Sequence, residues 1–381
     1  MAPEGWRLST IEEVAAVSSG GTPSRKEASY WGGDIPWVTT AEVNSKTITS
    51  TTQKITEEGL ENSSAKLFPA RTILMAMYGQ GKTRGQVARL GIEASTNQAC
   101  AAILLNEGSD TDYYYYFLES RYVHIRNMAN TGGQENLSAG IVKSIQVPVP
   151  PIIEQKKIAQ ILSTWDQAIT ATERLLENSQ QRKKGLMQQL LTGKKRLPGF
   201  EGEWKKVELG EALKYQQPTP FLVKSTEYFD DFSTPVMTAG KSFLLGYTDE
   251  EFGIYDDGLP IIIFDDFTTA SRFVDFPFKV KSSAIKILTS NSGFSIKYIF
   301  EAMQIIRFKV GGHQRHWISI FASFVINYPS FEEQQAISQG LATADSEISA
   351  LRNRLSILKQ EKRALMQQLL TGKRRVQVEA A

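Results

Sequence analysis

The feature that most constrains this chain is an internal duplication. Residues Lys184–Arg196 read KGLMQQLLTGKKR and residues Arg363–Arg375 read RALMQQLLTGKRR, an offset of 375 − 196 = 179 residues. Without a gap, the same offset pairs Glu154-Gln155 with Glu333-Gln334 and Asp166 with Asp345. Solenoid repeats are about 20 to 50 residues long, so this period excludes stacked small repeats. The sequence predicts two whole modules in tandem.

Composition narrows the class of protein. A length of 381 residues with 41% apolar residues allows roughly two to three folded domains. The net charge of +2 argues against a uniformly basic surface, so local groups would have to carry any affinity for nucleic acid. The start of the chain has no basic or apolar signal segment, and we expect a cytoplasmic protein without a membrane span. The single cysteine, Cys100, and three histidines predict neither a disulfide nor a structural metal.

Two long helices are predicted from apolar residues spaced alternately four and three apart, the heptad period of a coiled coil. Gly193 and Gly372 are placed as C-terminal caps of these helices. Their length and heptad spacing favour a free-standing antiparallel pair over helices lying on a globular core. The seam positions are Ile158, Leu162, Trp165, Ile169, Thr172, Leu176, Ser179, Lys183, Leu186 and Leu190, then Ile337, Leu341, Ala344, Ile348, Leu351, Leu355, Leu358, Lys362, Leu365 and Leu369.

Short apolar runs between glycine and proline turns predict strand-rich modules, with buried strands at 73–77, 101–105, 259–264 and 284–288. The predicted fold class is α+β: two mixed α/β modules joined by two long antiparallel coiled-coil helices in a pseudo-two-fold tandem repeat. The predicted boundaries are 1–150 for the first module, 151–196 for the first helix, 197–329 for the second module, 330–375 for the second helix and 376–381 for a tail.

The segment Ala76–Thr83, which follows an apolar strand, fits a permissive phosphate-loop pattern. A phosphate loop must lead into a long helix, whereas Arg84–Gly91 has two glycines and the alternation of a strand. A glycine-rich hairpin whose polar side chains contact DNA fits this segment better. Its counterpart in the second module is Phe264–Arg272, where Asp265 and Asp266 are interpreted as structural acids in preference to acceptors from cytosine.

Catalytic patterns are weak. No Asn/Asp-Pro-Pro-aromatic motif of an amino-methyltransferase and no nuclease-like carboxylate cluster occurs in the sequence. His313 and His316 have no carboxylate close by in sequence, so contacts to DNA or a hinge explain them more simply than acid–base catalysis.

Together these motifs resemble the specificity subunit of type I restriction-modification enzymes, along essentially the whole chain. The resemblance lies in two variable modules that open with a tryptophan segment and close on proline followed by Glu-Gln, each leading into a long helix with the repeated ending. Thr22-Pro-Ser24, Tyr30–Trp37 and Ser95–Cys100 are similar to target-recognition domains of that family. The second module resembles a branch associated with a G-A-A type half-site.

The resemblance implies a non-catalytic subunit that reads a bipartite double-stranded DNA site. It would bind two modification subunits that methylate adenine N6, and restriction subunits would join them. S-adenosylmethionine, ATP and magnesium would belong to those partners, and the helices would set the spacing of the half-sites. The alternatives are a nucleotide-binding enzyme and a coiled-coil adaptor that does not bind DNA.

Two sets of candidate residues follow. The DNA-contacting candidates are Ser24, Arg25, Tyr78, Gln80, Lys82, Thr83, Arg84, Gln86, Asn97, Gln98, Thr238, Lys241, Thr268, Thr269, Ser271, Arg272, His313, Gln314 and Arg315. The partner-binding candidates, on the repeated helix endings, are Leu186, Met187, Leu190, Leu365, Met366 and Leu369.

Overall fold

A computed structural model of the chain describes residues 3–44, 47–79, 81–129, 136–240, 242–308 and 316–377. It consists of two compact units. Unit 1 is formed by Met1–Glu173 with Arg354–Ala381, and unit 2 by Arg174–Asn353. Each unit therefore combines one globular module with a part of each long helix.

The module of unit 1 is built from short strands and a few helices. Its strands are β1 (Arg7–Thr10), β2 (Ala15–Ser19), β3 (Trp31–Val38), β4 (Thr47–Ile48), β5 (Gln53–Ile55), β6 (Leu67–Phe68), β7 (Ile73–Ala76), β8 (Val87–Leu90), β9 (Ala94–Thr96), β10 (Cys100–Leu105) and β11 (Gln146–Val149). Its helices are α1 (Ile11–Val14), α2 (Glu57–Glu61), α3 (Thr111–Ser120), α4 (Tyr122–Asn127) and α5 (Ala139–Lys143). The first long helix, α6 (Ile152–Leu190), follows.

Unit 2 has a smaller set of elements. Its strands are β12 (Lys205–Glu208), β13 (Leu213–Gln216), β14 (Thr234–Met237), β15 (Leu244–Thr248), β16 (Ile261–Asp265), β17 (Ser271–Val274), β18 (Lys279–Val280), β19 (Ile285–Ser290) and β20 (Val325–Tyr328). Its helices are α7 (Leu209–Ala212) and α8 (Ile296–Gln304), and the second long helix is α9 (Phe331–Leu369). The four predicted buried strands are confirmed as β7, β10, β16 and β19, with ends that differ by up to two residues.

The two modules share a sheet topology although their sequences differ. The main sheet of unit 1 has the order β2-β10-β7-β8-β4, and that of unit 2 has the order β13-β19-β16-β17. The corresponding strands β7 and β16 are buried along their whole length; β7 is entirely apolar, and β16 is apolar up to its last residue, Asp265. Each module also closes its first strand against its last, β1 with β11 and β12 with β20. The two modules therefore share one arrangement of strands.

The heptad seam of both long helices is confirmed, because none of its predicted positions is exposed. Gly193 and Gly372 follow the helices with φ of 73° and 67°, a conformation that glycine adopts without strain. The expectation of a free-standing pair is wrong at the helix ends. Ile158 and Leu369 belong to the unit 1 core together with Tyr113 of α3. The buried aromatic face of α3 needs cover, and the helix ends provide it.

Antiparallel pairing of the helices is visible inside each unit as an ion pair in the seam. In unit 1, Lys362 Nζ lies 3.0 Å from Asp166 Oδ1 and 3.3 Å from Glu119 Oε2. Tyr116 donates a 2.9 Å hydrogen bond to Asp166, and its pKa is raised by burial and then by that carboxylate. The phenol therefore stays protonated as a donor, and the seam lysine is fully partnered.

Unit 2 has the corresponding seam pair, Lys183 with Asp345, at 2.7 Å. Here the module contributes Glu301 of α8, which is fully buried and lies 3.4 Å from Lys183 Nζ and 3.0 Å from Lys297 Nζ. A buried charge is stable only when it is paired. Polar residues at seam positions also fix the register and direction of a helix pair. Each seam lysine therefore fixes the register of the helix pair in its unit and binds an acidic residue of the module in the same unit.

The repeated Glu-Gln at the start of each long helix connects helix and module. Gln155 accepts a 2.8 Å bond from the backbone N–H of Asp110, the N-cap of α3. Gln334 accepts a 2.9 Å bond from the N–H of Ser295, the N-cap of α8. Both glutamines also donate to the proline carbonyl five residues earlier. The repeated Glu-Gln motif thus attaches each long helix to a module.

The glutamates of the same motif are held by an arginine that follows the other helix. Arg375 Nε donates to Glu154 Oε2 at 2.9 Å, and Arg196 Nε donates to Glu333 Oε1 at 3.0 Å. We call these pairs the unit 1 clamp and the unit 2 clamp. In unit 1, Trp6 Nε1 also donates to Glu154, at 3.2 Å.

Candidate DNA interface

In unit 1, three loops come together at one edge of the module, and we call segments 21–25, 77–79, 81–86 and 97–99 the first edge. Gly21 N–H donates to Thr96 O at 2.9 Å, and Met77 N–H donates to Ala99 O at 2.8 Å. A β-carbon at Gly20 would lie 1.8 Å from Thr96 O, so this close approach of two backbones requires glycine. Loops that are far apart in sequence therefore form one surface.

The hairpin between β7 and β8 forms the middle of the first edge. Tyr78 and Lys82 are exposed there, and Thr83 and Gln86 are half-buried. Tyr122 donates a 2.7 Å bond to the Lys82 carbonyl and so supports the loop from α4. Strand β8, not a helix, follows the loop. The phosphate-loop alternative is therefore not supported, because in the described part of the chain the loop leads into a strand and not into a helix.

Two of the candidates on this hairpin need comment. Arg84 is only 7% exposed, so the prediction that it contacts a base is not supported by its position. The turn at Gly85, with φ of 83°, leads the chain back into β8, and Arg84 is buried beside that turn. Gln80 lies outside the described residues.

Ser24, Arg25, Asn97 and Gln98 flank the hairpin on the other two loops. Ser24, Arg25 and Gln98 are exposed. The hydroxyl of Thr22 donates to Gln98 Oε1, which orients the amide. Asn97 instead accepts a 3.1 Å bond from the N–H of Ala99 and stabilises its own turn. The exposed groups could bind DNA, and Asn97 shapes the loop that carries one of them.

In unit 2, the corresponding surface is the second edge, segments 238–240 and 265–272. Asp265, at the end of β16, is 1% exposed and accepts 3.0 Å bonds from the N–H groups of Gly240 and Phe267. It also accepts bonds from the backbone and the hydroxyl of Thr268. One carboxylate thus joins two loops that carry candidate residues.

Asp266 has a similar role on the other side of β16. It accepts a 2.8 Å bond from the N–H of Trp317 and lies 3.5 Å from the buried Lys286 Nζ. Both aspartates are buried and occupied by bonds within the unit. Their interpretation as structural acids is confirmed.

The candidates on the second edge differ in accessibility. Arg272 and Thr268 are exposed, whereas Thr238, Thr269 and Ser271 are half-buried. Ser271 accepts a 2.8 Å bond from Gln304 of α8. Thr269 has a φ of 62°, a strained value for a β-branched residue, and its N–H donates to Asp265 O at 2.9 Å. Lys241, His313, Gln314 and Arg315 lie outside the described residues.

Other kinds of site find little support. Within the described ranges, no group of three or more His, Cys, Asp or Glu side chains is placed to hold a metal ion. Of the helices that could be searched, none is long and apolar enough to cross a membrane. Burial raises the pKa of the Cys100 thiol to about 12, so this cysteine is unreactive at neutral pH.

Comparison with known proteins agrees with this architecture. Residues 3–178 match the family model described as type I restriction modification DNA specificity domain. The EcoR124I/EcoR124II specificity subunit of Escherichia coli is 48% identical over 140 residues, which cover 35% of this chain and 34% of that protein. The MjaVIII specificity subunit of Methanocaldococcus jannaschii is 24% identical over 98% of this chain and 94% of its own length. The family model thus matches the first module and the start of α6, and the chain as a whole is similar to type I restriction-modification specificity subunits.

Solved structures related to this family show the same fold. The S subunit of a type I restriction-modification system from M. genitalium aligns with a TM-score of 0.68 at 16% identity, covering 96% of both chains. A second structure, described as concerning complex assembly and conformational transition of the type I system, aligns with a TM-score of 0.58 at 15% identity, covering 98% of this chain and 100% of that one. The chain spans only 34% of the EcoR124I/EcoR124II subunit and 39% of the MjaIX specificity subunit of Methanocaldococcus jannaschii, which is 30% identical over 172 residues.

The predicted partner-binding residues need correction. Leu190, Met366 and Leu369 are 3–6% exposed and pack inside the cores of their own units. Leu186, Met187 and Leu365 are partly buried against the same cores. The near-identity of the two helix endings is therefore explained by packing against two similar modules. It does not mark an open docking surface.

Sequence reasoning missed two kinds of residue. Glu119 and Glu301, which partner the seam lysines, have no local motif. A lysine at a seam position was the available signal, because it requires an acid nearby. Gln53, which accepts a hydrogen bond from Arg25 on the first edge, also went unnoticed, and Trp31 was noticed only as part of Tyr30–Trp37, without its contact with Arg25. No spacing rule connects residues that meet only when two strands pair.

Proposed function

We propose that this chain is the non-catalytic DNA-specificity subunit of a type I restriction-modification complex. The first and second edges would each read one half of a two-part site in double-stranded DNA. The observation that carries this proposal is the shared sheet order of the two modules with different polar side chains on their loops. Recognition of two different half-sites requires two modules whose loop surfaces differ, and here the two modules share one sheet order.

The chemistry of the edges fits such a role. Exposed Lys82 and Arg272 would contact phosphates or base edges, and the oriented amide of Gln98 would pair with a base. Phosphate contacts position a protein on DNA, and contacts to base edges in the major groove supply specificity. Rigid attachment of these loops, by backbone bonds in unit 1 and by Asp265 in unit 2, lowers the entropy lost on binding.

The proposed partners are two modification subunits that methylate adenine N6, with restriction subunits added to the same complex. S-adenosylmethionine, ATP and magnesium would be bound by those subunits, and the complex would act on DNA in the cytoplasm. We propose the helix surfaces as docking sites, at apolar side chains that remain exposed. Leu175 and Ile357 are each 54% exposed and fit this better than the buried helix endings.

The test is to express the full chain with the modification subunits encoded beside it and to map methylated adenines in the host genome. We expect a single bipartite sequence to be methylated. Lys82→Ala should lower DNA affinity almost equally for all sequences and reduce the salt dependence by about one unit of slope. Arg7→Ala is the matched control, because exposed Arg7 lies on β1, which pairs only with β11.

A complex that assembles but methylates without sequence preference would overturn the proposal. A chain that copurifies with partners yet never binds DNA would favour the adaptor alternative. Micromolar ATP binding by the purified chain, lost in Lys82→Ala, would revive the nucleotide-binding alternative against the geometry of the hairpin.

A further inference from the structure

Arg25 on the first edge is exposed but its side chain is held in place. Its Cζ lies 3.7 Å from the ring centre of Trp31 and 5.0 Å from that of Trp37. A guanidinium this close to an indole is attracted by the electrons of the ring face. The position of the charged group is therefore fixed on one side by the Trp31 ring.

A second contact fixes the direction of the same group. Arg25 Nη1 donates a 2.7 Å hydrogen bond to Gln53 Oε1 on β5. Gln53 opposes Trp37 in the β3–β5 pairing, so the strand pairing fixes Gln53 and Trp37 relative to each other. A stacked face and an oriented edge together leave the guanidinium little freedom.

The supports themselves are anchored to the module. Trp31 Nε1 donates a 3.1 Å bond to the carbonyl of Ser24, and the Trp31 ring meets the Trp37 ring edge-on with centres 5.0 Å apart. Trp37 is 2% exposed, and its Nε1 donates to Gly21 O at 2.9 Å. A continuous set of contacts therefore connects the module core to the guanidinium of Arg25.

Among the described residues, the Arg25 guanidinium has no anionic partner. Other arginines with fixed geometry, such as Arg89 and Arg375, pair with carboxylates. Within the part of the chain that the structure describes, Arg25 makes no ion pair, and only Nη1 is used in a hydrogen bond. The remaining N–H donors can bind an external group that offers acceptors at fixed spacing.

We propose that Arg25 reads a guanine in the first half-site and that Trp31 and Gln53 are its positioning residues. This inference rests on the proposed function. Guanine presents N7 and O6 as two acceptors in the major groove, which match the two-donor edge of a guanidinium. A guanidinium edge also binds phosphate oxygens in pairs, but such a contact carries no sequence preference. We assign the fixed guanidinium to a base, and the base preference measured below separates the two contacts.

The test uses the full chain with its modification subunits and a DNA library in which each base of the methylated site is varied. Arg25→Ala should weaken binding to the natural site about ten- to a hundredfold and remove the preference for guanine at one position of one half-site. Arg25→Lys should reduce that preference, because an ammonium can donate to guanine but lacks the planar group that Trp31 and Gln53 hold in one orientation. Arg7→Ala should leave both properties unchanged.

The positioning residues have their own readout. Gln53→Ala should reduce the guanine preference at the same position about three- to tenfold. Gln53→Glu keeps the acceptor oxygen and should retain the preference, but its negative charge should lower the affinity for all DNA sequences. Trp31→Ala should act like Gln53→Ala, and Trp31→Phe should restore most of the preference by keeping an aromatic face. Thermal unfolding of each variant identifies any that lose the preference by unfolding.

Two outcomes would overturn the inference. If Arg25→Ala weakens binding to all sequences alike and lowers the salt slope by about one, Arg25 contacts a phosphate. If the folded variant binds the natural site as the unaltered chain does, Arg25 has no part in recognition. An unaltered complex without sequence preference would instead overturn the proposed function, so the two failures are distinguishable.

Discussion

The clamps of the two units differ although their charges are the same. Arg375 with Glu154 and Arg196 with Glu333 occupy positions that the duplication relates by 179 residues (375 − 196 and 333 − 154). In unit 1, Trp6 adds a hydrogen bond to the glutamate. In unit 2, Trp204 Nε1 is buried without a hydrogen-bond partner in the described structure and faces Gly193 and Tyr298 instead.

The difference shows which parts of the duplicated unit stayed equivalent. The tryptophans are 204 − 6 = 198 residues apart, so they do not share the offset of the clamp charges. The seam ion pairs show the same division. Both use a helix lysine and a helix aspartate at the common offset, but the module of unit 1 adds Glu119 and that of unit 2 adds buried Glu301. Interactions borne by the helices are retained, and those borne by the modules differ.

The largest expected difference between the units comes from the seam. Replacing Lys183 and Lys297 together by Met leaves Glu301 buried without a cation, and removing the partner of a buried charge costs about 3–5 kcal/mol. Lys362→Met should cost less, about 1–3 kcal/mol, because Asp166 keeps the hydroxyl of Tyr116. Denaturant unfolding followed by hydrogen exchange in each unit measures both changes.

A third variant checks the cause of that loss. Adding Glu301→Gln to the double lysine variant removes the buried charge and should recover most of the lost stability. If it recovers none, the lysines act through packing of their methylene groups and the electrostatic account is wrong.

The next effect concerns the clamps. Arg196→Ala should lower the melting temperature of unit 2 by about 5–10 °C, because buried Glu333 loses its arginine and no tryptophan replaces it. Arg375→Ala should lower that of unit 1 by roughly half as much, since Trp6 continues to donate to Glu154. Calorimetry of both variants measures the two shifts in melting temperature. Equal shifts would show that the hydrogen bond from Trp6 does not stabilise unit 1 in the absence of Arg375.

A smaller effect is expected for the tryptophans themselves. Trp6→Phe removes a donor to a buried carboxylate and should cost about 1–3 kcal/mol. Trp204→Phe removes no hydrogen bond and should cost less than Trp6→Phe. Chemical denaturation of the two matched variants measures the difference. A larger loss for Trp204→Phe would mean that ring packing, not the hydrogen bond, distinguishes the units.

The smallest effect is a pH dependence of unit 2. Burial alone would raise the pKa of Glu250, but bonds from Ser225 N–H, Lys279 Nζ and Lys224 N–H hold the pKa below its ordinary value of 4.5. A carboxylate with a lowered pKa contributes stability above its unfolded pKa and loses it as the pH falls through the folded value. Glu250→Gln should therefore flatten the stability of unit 2 below about pH 4.5. An unchanged slope in that variant would assign the acid sensitivity to other carboxylates.

Much of the frame could be predicted from sequence because it depends on local periodicity. The seam spacing, the cap glycines and the apolar strand runs each follow from a few neighbouring residues. Packing of the helix ends against the modules could not be predicted, because a leucine stripe looks the same whether it covers a helix or a module core. The role of the helices in spacing two half-sites stays a prediction.

The candidate site was only partly predictable. Exposed Lys82 was singled out from the chemistry of the glycine-rich hairpin, and exposed Gln98 lies in Ser95–Cys100, which was singled out by resemblance. Arg84 was predicted to contact DNA but is buried beside the turn at Gly85. The positive φ of that glycine cannot be read from the sequence. Gln53 was missed because its contact with Arg25 exists only through the pairing of β3 and β5.

The makeup of unit 1 has a consequence for the order in which the chain can fold. Its core contains Met366, Leu369 and Leu370 together with Trp6 and Tyr113, and all of residues 174–353 lie between its two segments. Unit 2 is continuous in sequence and can close as soon as residue 353 has left the ribosome. Unit 1 must wait with its aromatic α3 uncovered until α9 has been synthesised, so the first module to be made is the last to be finished. During that interval the nascent chain exposes apolar surface, and this is the stage at which it most needs protection from aggregation.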